Sequence, residues 1–155
     1  MSLPDLRGLL EALHAAGVDF VVIGAVALVA HRRVRTTEDL DIVPDPTPEN
    51  REKLVTVLVR RHARLALEPG RALGERERRA LVLGRNLSVT TDLGDLDVVQ
   101  LLPGVPGYGE LAARATSIDF GGVPVRVCSL EHLIAMKRAR GSRQDLADLE
   151  LLEGG

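Results

Sequence analysis

Two aspartates at alternating positions of a short apolar segment could support metal-dependent chemistry. In the run from Asp39 to Val43, the two-residue period of a β-strand places Asp39 and Asp41 on one face and Leu40 and Ile42 on the other. Such neighbouring carboxylates can bind one or two cations, and without a cation they repel each other and are desolvated beside a core. We therefore expect a cation here, and hydrated aspartates at a strand edge are the alternative interpretation.

A second acidic segment repeats this alternation. Asp95, Leu96, Asp97 and Val98 follow one another in the same pattern, and a neighbouring strand would bring Asp97 beside the first two aspartates. Carboxylate oxygens suit Mg²⁺, with Mn²⁺ as an alternative ion. Two such ions hold the attacking and leaving oxygens of an in-line displacement. The acidic segments therefore predict a metal centre for phosphoryl or nucleotidyl transfer.

The turn that precedes these aspartates is suited to binding phosphate. Residues 20–23 are apolar and mostly β-branched, which predicts a buried strand ending at Gly24. A helix beginning near Ala25 would then offer free N–H groups and a dipole to an anion, although many strand-to-helix turns use glycine for structural reasons alone. Arg35 and Thr37 could add a cation and a hydroxyl, or serve as ordinary turn residues.

Near the end of the chain, Lys137 interrupts an apolar helical stripe. The stripe is formed by Leu130, Leu133 and Ile134. A charge in that position either points into a site or extends along the helix to solvent. Asp145 stands three residues after a serine, which is the spacing of a capping box, so it fits both a helix start and a site role.

Together these segments resemble the polymerase-β-type nucleotidyltransferases, in the minimal branch that contains AbiEii-like and MenT-like toxins. The resemblance rests on residues 21–27, His31 and residues 35–42, and on residues 129–137 and 143–149 near the end of the chain. It covers nearly the whole chain. Ala25 is a departure, because many members carry Ser or Gly at that position.

The resemblance implies a role for each candidate residue. The metal ions would be held by Asp39, Asp41 and Asp97, which with Lys137 form the catalytic centre. The nucleotide would be bound by Gly24, Ala25, Arg35, Thr37, Lys137 and Asp145. Asp97 would also assist deprotonation of the acceptor hydroxyl, while Lys137 and Arg35 balance the charge of the phosphates.

The activity implied by the resemblance is Mg²⁺-dependent transfer of a nucleoside monophosphate from an NTP to a hydroxyl acceptor. The toxin branch suggests a tRNA 3′ end as the acceptor, with a protein hydroxyl as the alternative, and a cognate antitoxin or toxin protein as partner. Two other classes stay open. A non-catalytic antitoxin or binding partner would keep the fold for interaction, and a metal-dependent nuclease would use the same carboxylates without binding NTP.

The elements that must position these residues predict an α/β fold, with a mixed sheet, flanking helices and a C-terminal helical pair in one domain of residues 1–155. Helices are expected at 4–16, from 25, and at 48–62, 71–79, 110–115, 130–140 and 143–152. Strands are expected at 20–23, 39–43, 80–83, 87–91, 96–101, 116–120 and 123–127. Residues 92–95 and the Gly121-Gly122 pair should form hairpin turns.

Composition narrows the class of protein. With 45% hydrophobic and 27% charged residues, and no apolar run long enough to span a bilayer, we expect a cytoplasmic chain without membrane association. The only cysteine, Cys128, is expected to be buried near a strand end. The net charge of −2 requires any RNA contact to be local. The best local patch runs from Arg71 to Arg85, and a solvated helix face with salt bridges to Glu75 and Glu77 is its alternative.

Overall fold

The computed structural model describes residues 5–24, 26–27 and 39–153 of the chain. The helices among these residues are α1 (Leu6–Ala15), α2 (Pro48–Arg60), α3 (Glu75–Val82), α4 (Tyr108–Ala113), α5 (Leu130–Arg140) and α6 (Arg143–Glu153). The strands are β1 (Phe20–Ile23), β2 (Asp39–Pro44), β3 (Arg64–Leu65), β4 (Glu68–Ala72), β5 (Leu87–Thr91), β6 (Gly94–Val98), β7 (Thr116–Phe120) and β8 (Val123–Val127).

All of these strands belong to one mixed sheet in the order β4-β3-β5-β6-β2-β1-β8-β7. The inner pairs β2 with β6 and β1 with β8 are parallel, whereas β1 pairs with β2 in the antiparallel direction. Helix α1 contacts β8 and α2, and α5 contacts α6. The α/β class predicted from the sequence is confirmed.

Local sequence explains the best-defined elements. Asp5 accepts a hydrogen bond from the Gly8 amide at the start of α1, and Thr47 accepts one from the Asn50 amide at the start of α2. The predicted Gly121-Gly122 turn joins β7 to β8, and both glycines have positive φ, as a tight hairpin turn requires. Strand β1 is buried throughout, which agrees with its continuous apolar sequence.

The middle of the chain differs from the sequence prediction. The helix expected at 71–79 begins only at Glu75, because Arg71 and Ala72 belong to β4 and the Glu77 carboxylate caps the amide of Gly74. Residues 80–83, expected as a strand, complete that helix and its C-terminal turn. The β3–β4 hairpin was not predicted, since β4 is exposed at every position and contains Pro69.

Smaller differences concern element ends. Strand β6 begins at Gly94 and ends at Val98, so the β5–β6 turn is shorter than expected, and α4 begins and ends two residues earlier than the predicted helix. The helix expected from residue 25 lies largely outside the described residues. Cys128 is fully buried, as expected, and this burial raises its pKa to about 12. No helix in the described ranges has the length and apolar character needed to cross a membrane.

Candidate functional site

The parallel pairing of β2 with β6 places two carboxyl groups side by side. Asp41 is aligned with Asp97, and Asp39 with Asp95. The residues that alternate with these aspartates, Leu40, Ile42 and Leu96, are fully buried, so the opposite face of both strands packs into the core. Asp41 and Asp97 therefore lie opposite each other on the other face of the two strands.

This proximity changes the acidity of Asp41. Burial, together with the hydrogen bond and negative charge of Asp97, raises the pKa of Asp41 to about 7. The charge of Asp39 also raises this pKa, whereas Arg140 lowers it. Near neutral pH, a substantial fraction of Asp41 therefore keeps its proton unless another cation replaces it.

Gly24 lies directly over Asp41. It follows β1, where Ile23 pairs with Asp41, and it has a φ of +71°. A Cβ atom at this position would overlap Oδ2 of Asp41 and lie 2.9 Å from its Cγ. Only glycine combines this left-handed conformation with so close an approach of the backbone to the carboxylate.

Lys137 is buried rather than extended to solvent. Its side chain is 6% exposed, and Nζ lies 2.8 Å from Oδ2 of Asp148 and 3.7 Å from Oδ1 of Asp145. Asp148 is fully buried and also accepts a hydrogen bond from the side-chain amide of Gln144. This network joins α5 to α6, and of the two orientations left open by the sequence, the structure has the inward one.

Asp145 combines a capping role with a place in the site. Its amide donates to Ser142 Oγ and its Oδ2 accepts from the Ser142 amide, so the predicted capping box is present. Burial acts to raise the pKa of Asp145, but hydrogen bonds from Ser142 and the charge of Arg140 outweigh it and lower that pKa. Oδ1 of Asp145 is buried and has no hydrogen-bond partner.

A pocket connects the acidic strands to the C-terminal helices. Its walls are formed by Ile23, Gly24, Asp41, Val99, Leu133, Met136, Lys137, Arg140 and Asp145. Arg140 was not predicted as a site residue from the sequence, because an arginine in the last turn of a helix is common and stabilises that turn. Its spacing of three residues from Lys137 puts both side chains on one side of α5, and this was the signal available in the sequence.

The donor set fits a hard divalent cation. Asp41 and Asp97 offer adjacent carboxylate groups, and a bound cation would offset both the burial of Asp41 and the negative charge of Asp97 beside it. Asp39 is exposed at the start of β2. Within the described ranges, no three His, Cys, Asp or Glu side chains form a preassembled metal-ligand group. Ala25, Arg35 and Thr37 lie outside the described residues.

Comparison with solved structures relates this architecture to known proteins. An antigenic nucleotidyltransferase-like protein from Paracoccidioides brasiliensis matches 95% of this chain and 72% of its own, at 20% identity and a TM-score of 0.61. The lincosamide adenylyltransferase LnuA, bound to lincomycin, matches 96% of this chain and 94% of its own, at 11% identity and a TM-score of 0.66. The chain has a nucleotidyltransferase fold.

A third similar structure is ANT(2″)-Ia in complex with adenylyl-2″-tobramycin. It matches 94% of this chain and 86% of its own, at 15% identity and a TM-score of 0.56. No protein-family model and no curated protein sequence matches the chain. The similarity therefore shows the fold alone, and the chemistry depends on the residues of the site.

The contact between Gly24 and Asp41 predicts a large effect of a single methyl group. Gly24→Ala should lower the free energy of unfolding by about 3 kcal/mol, because left-handed strain adds to overpacking. Gly17→Ala is a matched control, since Gly17 has a φ of +76° but only the Lys53 side chain nearby, at 3.8 Å. That control should lose about 1 kcal/mol. Urea unfolding measures both values, and equal losses would show that no close contact exists at Gly24.

The raised pKa of Asp41 predicts an unusual pH dependence of stability. The folded protein binds the Asp41 proton more tightly than the unfolded chain, so this contribution is complete below about pH 4 and is lost as the pH rises through about 7. Without metal, the wild type should be about 2 kcal/mol more stable at pH 5 than at pH 8.

Two variants isolate this contribution in urea titrations with EDTA. Asp41→Asn should abolish the excess stability at low pH. Asp95→Asn should retain it, because Asp95 lies two residues before Asp97 on β6, pairs with Asp39 rather than Asp41, and accepts a hydrogen bond from Thr90. A wild type whose stability is constant or rises over this pH range would contradict the raised pKa of Asp41.

Proposed function

We propose that this protein is a metal-dependent nucleotidyltransferase that moves a nucleoside monophosphate from an NTP to a hydroxyl acceptor. The observation that carries the proposal is the Asp41 and Asp97 carboxyl pair, aligned on parallel strands and covered by Gly24. The nucleotidyltransferase fold supports it, because similar structures include two antibiotic-modifying enzymes described by nucleotide transfer. Placing two partly buried carboxyl groups side by side does not stabilise the fold, so this placement favours a functional role.

Asp39, Asp41 and Asp97 are the proposed ligands of Mg²⁺, with Mn²⁺ as the alternative. A divalent ion bound there would neutralise developing charge on the transferred phosphoryl group. The protein contributes the fixed spacing of the carboxylates, which the parallel register of β2 and β6 sets. Asp97 accepts the proton of the acceptor hydroxyl in this proposal, since it borders Asp41 and is partly exposed.

The nucleotide would lie against the backbone at Gly24 and the wall formed by Lys137 and Asp145. These three residues line the same pocket as Asp41. The Lys137 ammonium lies 3.7 Å from Asp145 and pairs with Asp148, so it belongs to the buried network that joins α5 to α6 beside the pocket. Ala25, Arg35 and Thr37 remain proposed nucleotide contacts on the strength of the sequence resemblance.

An RNA acceptor is favoured by one surface. Arg78, Arg79 and Arg85 are exposed and have no carboxylate within salt-bridge distance among the described residues, so their charges remain available to phosphates. Arg71 instead pairs with Glu68 and Glu77. We propose a tRNA 3′ end as the acceptor and a toxin–antitoxin context for the activity. A protein hydroxyl, or a small molecule such as the antibiotics named with the similar structures, is the alternative acceptor.

Transfer of label from each α-³²P-labelled NTP, with Mg²⁺ and total RNA, tests the proposed function. The wild type should label RNA, and Asp41→Asn and Asp97→Asn should each reduce labelling by about 10² or more, because each removes a carboxylate from the reacting centre. Asp92→Asn is the control, since Asp92 lies in the β5–β6 turn near Arg61. It should label RNA at the wild-type rate.

The same reactions distinguish the other classes. Mg²⁺-dependent cleavage of RNA without NTP would identify a nuclease. Label on a protein or small molecule instead of RNA would identify a different acceptor and would still support nucleotidyl transfer. Absence of both transfer and cleavage, with no binding of any NTP, would identify a non-catalytic partner and overturn the proposal.

A further inference from the structure

Arg140 is the exposed cation of the pocket beside Asp41. It is the last residue of α5, its side chain is 62% exposed, and it lines the pocket together with Gly24 and Asp145. Its charge also acts on the Asp41 carboxyl group. The guanidinium therefore lies close enough to influence the reacting centre while remaining accessible to a ligand.

Lys137, the other described cation of this pocket, is already neutralised. Its ammonium contacts Asp148 at 2.8 Å and lies 3.7 Å from Asp145, and its side chain is 6% exposed. Removing it from two buried carboxylates would leave their charges unpaired, which is costly. A phosphate group would therefore have to displace a buried ion pair to reach Lys137, whereas the exposed Arg140 contacts Asp145 through Nε alone and could bind phosphate without losing that contact.

The guanidinium of Arg140 is also held in place. Its Nε donates to Oδ2 of Asp145 at 3.1 Å, and the same oxygen is fixed by the Ser142 amide at 3.2 Å. Neither Nη atom has another hydrogen-bond partner among the described residues. A planar guanidinium anchored through Nε offers its remaining donors to phosphate oxygens with little loss of side-chain freedom.

We propose that Arg140 binds the phosphate chain of the nucleotide donor directly and that Lys137 acts through Asp145 as a positioning residue. This inference rests on the proposed nucleotidyl transfer and names the residue that neutralises the triphosphate. It departs from the expectation that Lys137 balances the phosphate charge. Asp145 in this arrangement holds the guanidinium, and its second oxygen faces the buried Lys137.

Arg138 provides a closely matched control. It lies on the same helix, its side chain is also 62% exposed, and its guanidinium pairs with the single carboxylate of Glu153. It does not line the pocket. Arg138→Gln and Arg140→Gln therefore remove the same charge from the same helix turn, and each glutamine can still donate a hydrogen bond to the carboxylate partner.

Calorimetric titration of inorganic tripolyphosphate with Mg²⁺ into the full chain tests the proposal without choosing an NTP. Wild type and Arg138→Gln should bind with similar affinity, and Arg140→Gln should bind about tenfold to 100-fold more weakly, the scale of losing a charged hydrogen bond. Arg140→Lys should fall between them, because it keeps the charge and loses the planar fork. If Arg140→Gln does not fold, the tripolyphosphate affinities of Arg140→Lys and Arg138→Lys are compared instead, and only Arg140→Lys should bind more weakly than the wild type.

The outcomes separate the two proposals. Equal affinities for the matched Arg138 and Arg140 variants, with a wild type that binds tripolyphosphate and transfers nucleotide, would overturn the role of Arg140 and leave the proposed function intact. A wild type that neither binds tripolyphosphate nor transfers nucleotide would overturn both. A selective loss in the Arg140 variants, with unchanged melting temperature, supports direct binding, because a purely structural role would lower stability as well.

Discussion

The alignment of the Asp41 and Asp97 carboxyl groups on parallel strands is the constraint on which the rest of the site depends. Parallel register places these residues opposite each other, and a slip of one residue would turn Asp97 to the other face of the sheet. The buried side chains of Leu40, Ile42 and Leu96 oppose such a slip, because it would expose them. Packing on one face of β2 and β6 thus maintains an electrostatically unfavourable arrangement on the other. Gly24 completes it by excluding solvent from one side of Asp41.

A second buried charge network attaches the C-terminal helices to this centre. Lys137 pairs with Asp148 across α5 and α6, and Asp145 bridges Ser142 and Arg140 at the junction of these helices. Loss of one member of a buried pair usually costs about 3–5 kcal/mol, so effects of substituting Lys137 combine stability with activity. Arg140 is exposed and allows charge near the pocket to be changed with less disturbance of the fold. This distinction explains why two cations three residues apart have different roles.

Local patterns in the sequence were sufficient to predict much of the fold. Apolar alternation located β2 and β6, the glycine pair located the β7–β8 turn, and cap residues located the starts of α2 and α6. The β3–β4 hairpin was missed because its residues are exposed and include proline, so burial leaves no periodic signal there. The alignment of Asp41 with Asp97 depends on long-range pairing that the alternation suggested but could not fix. Arg140 was missed because its importance comes from the pocket around it, and Ala25, Arg35 and Thr37 remain predictions.

The most direct measurement of the central claim is the position of a bound metal ion. Crystals containing Mn²⁺ and a non-hydrolysable analogue of the NTP used in transfer, measured at the manganese absorption edge, would locate the ion by anomalous scattering. We expect a peak within about 2.0–2.3 Å of carboxylate oxygens from both Asp41 and Asp97. Manganese found only at other carboxylates, with none beside Asp41 and Asp97 although the nucleotide analogue is bound, would contradict the proposed metal centre.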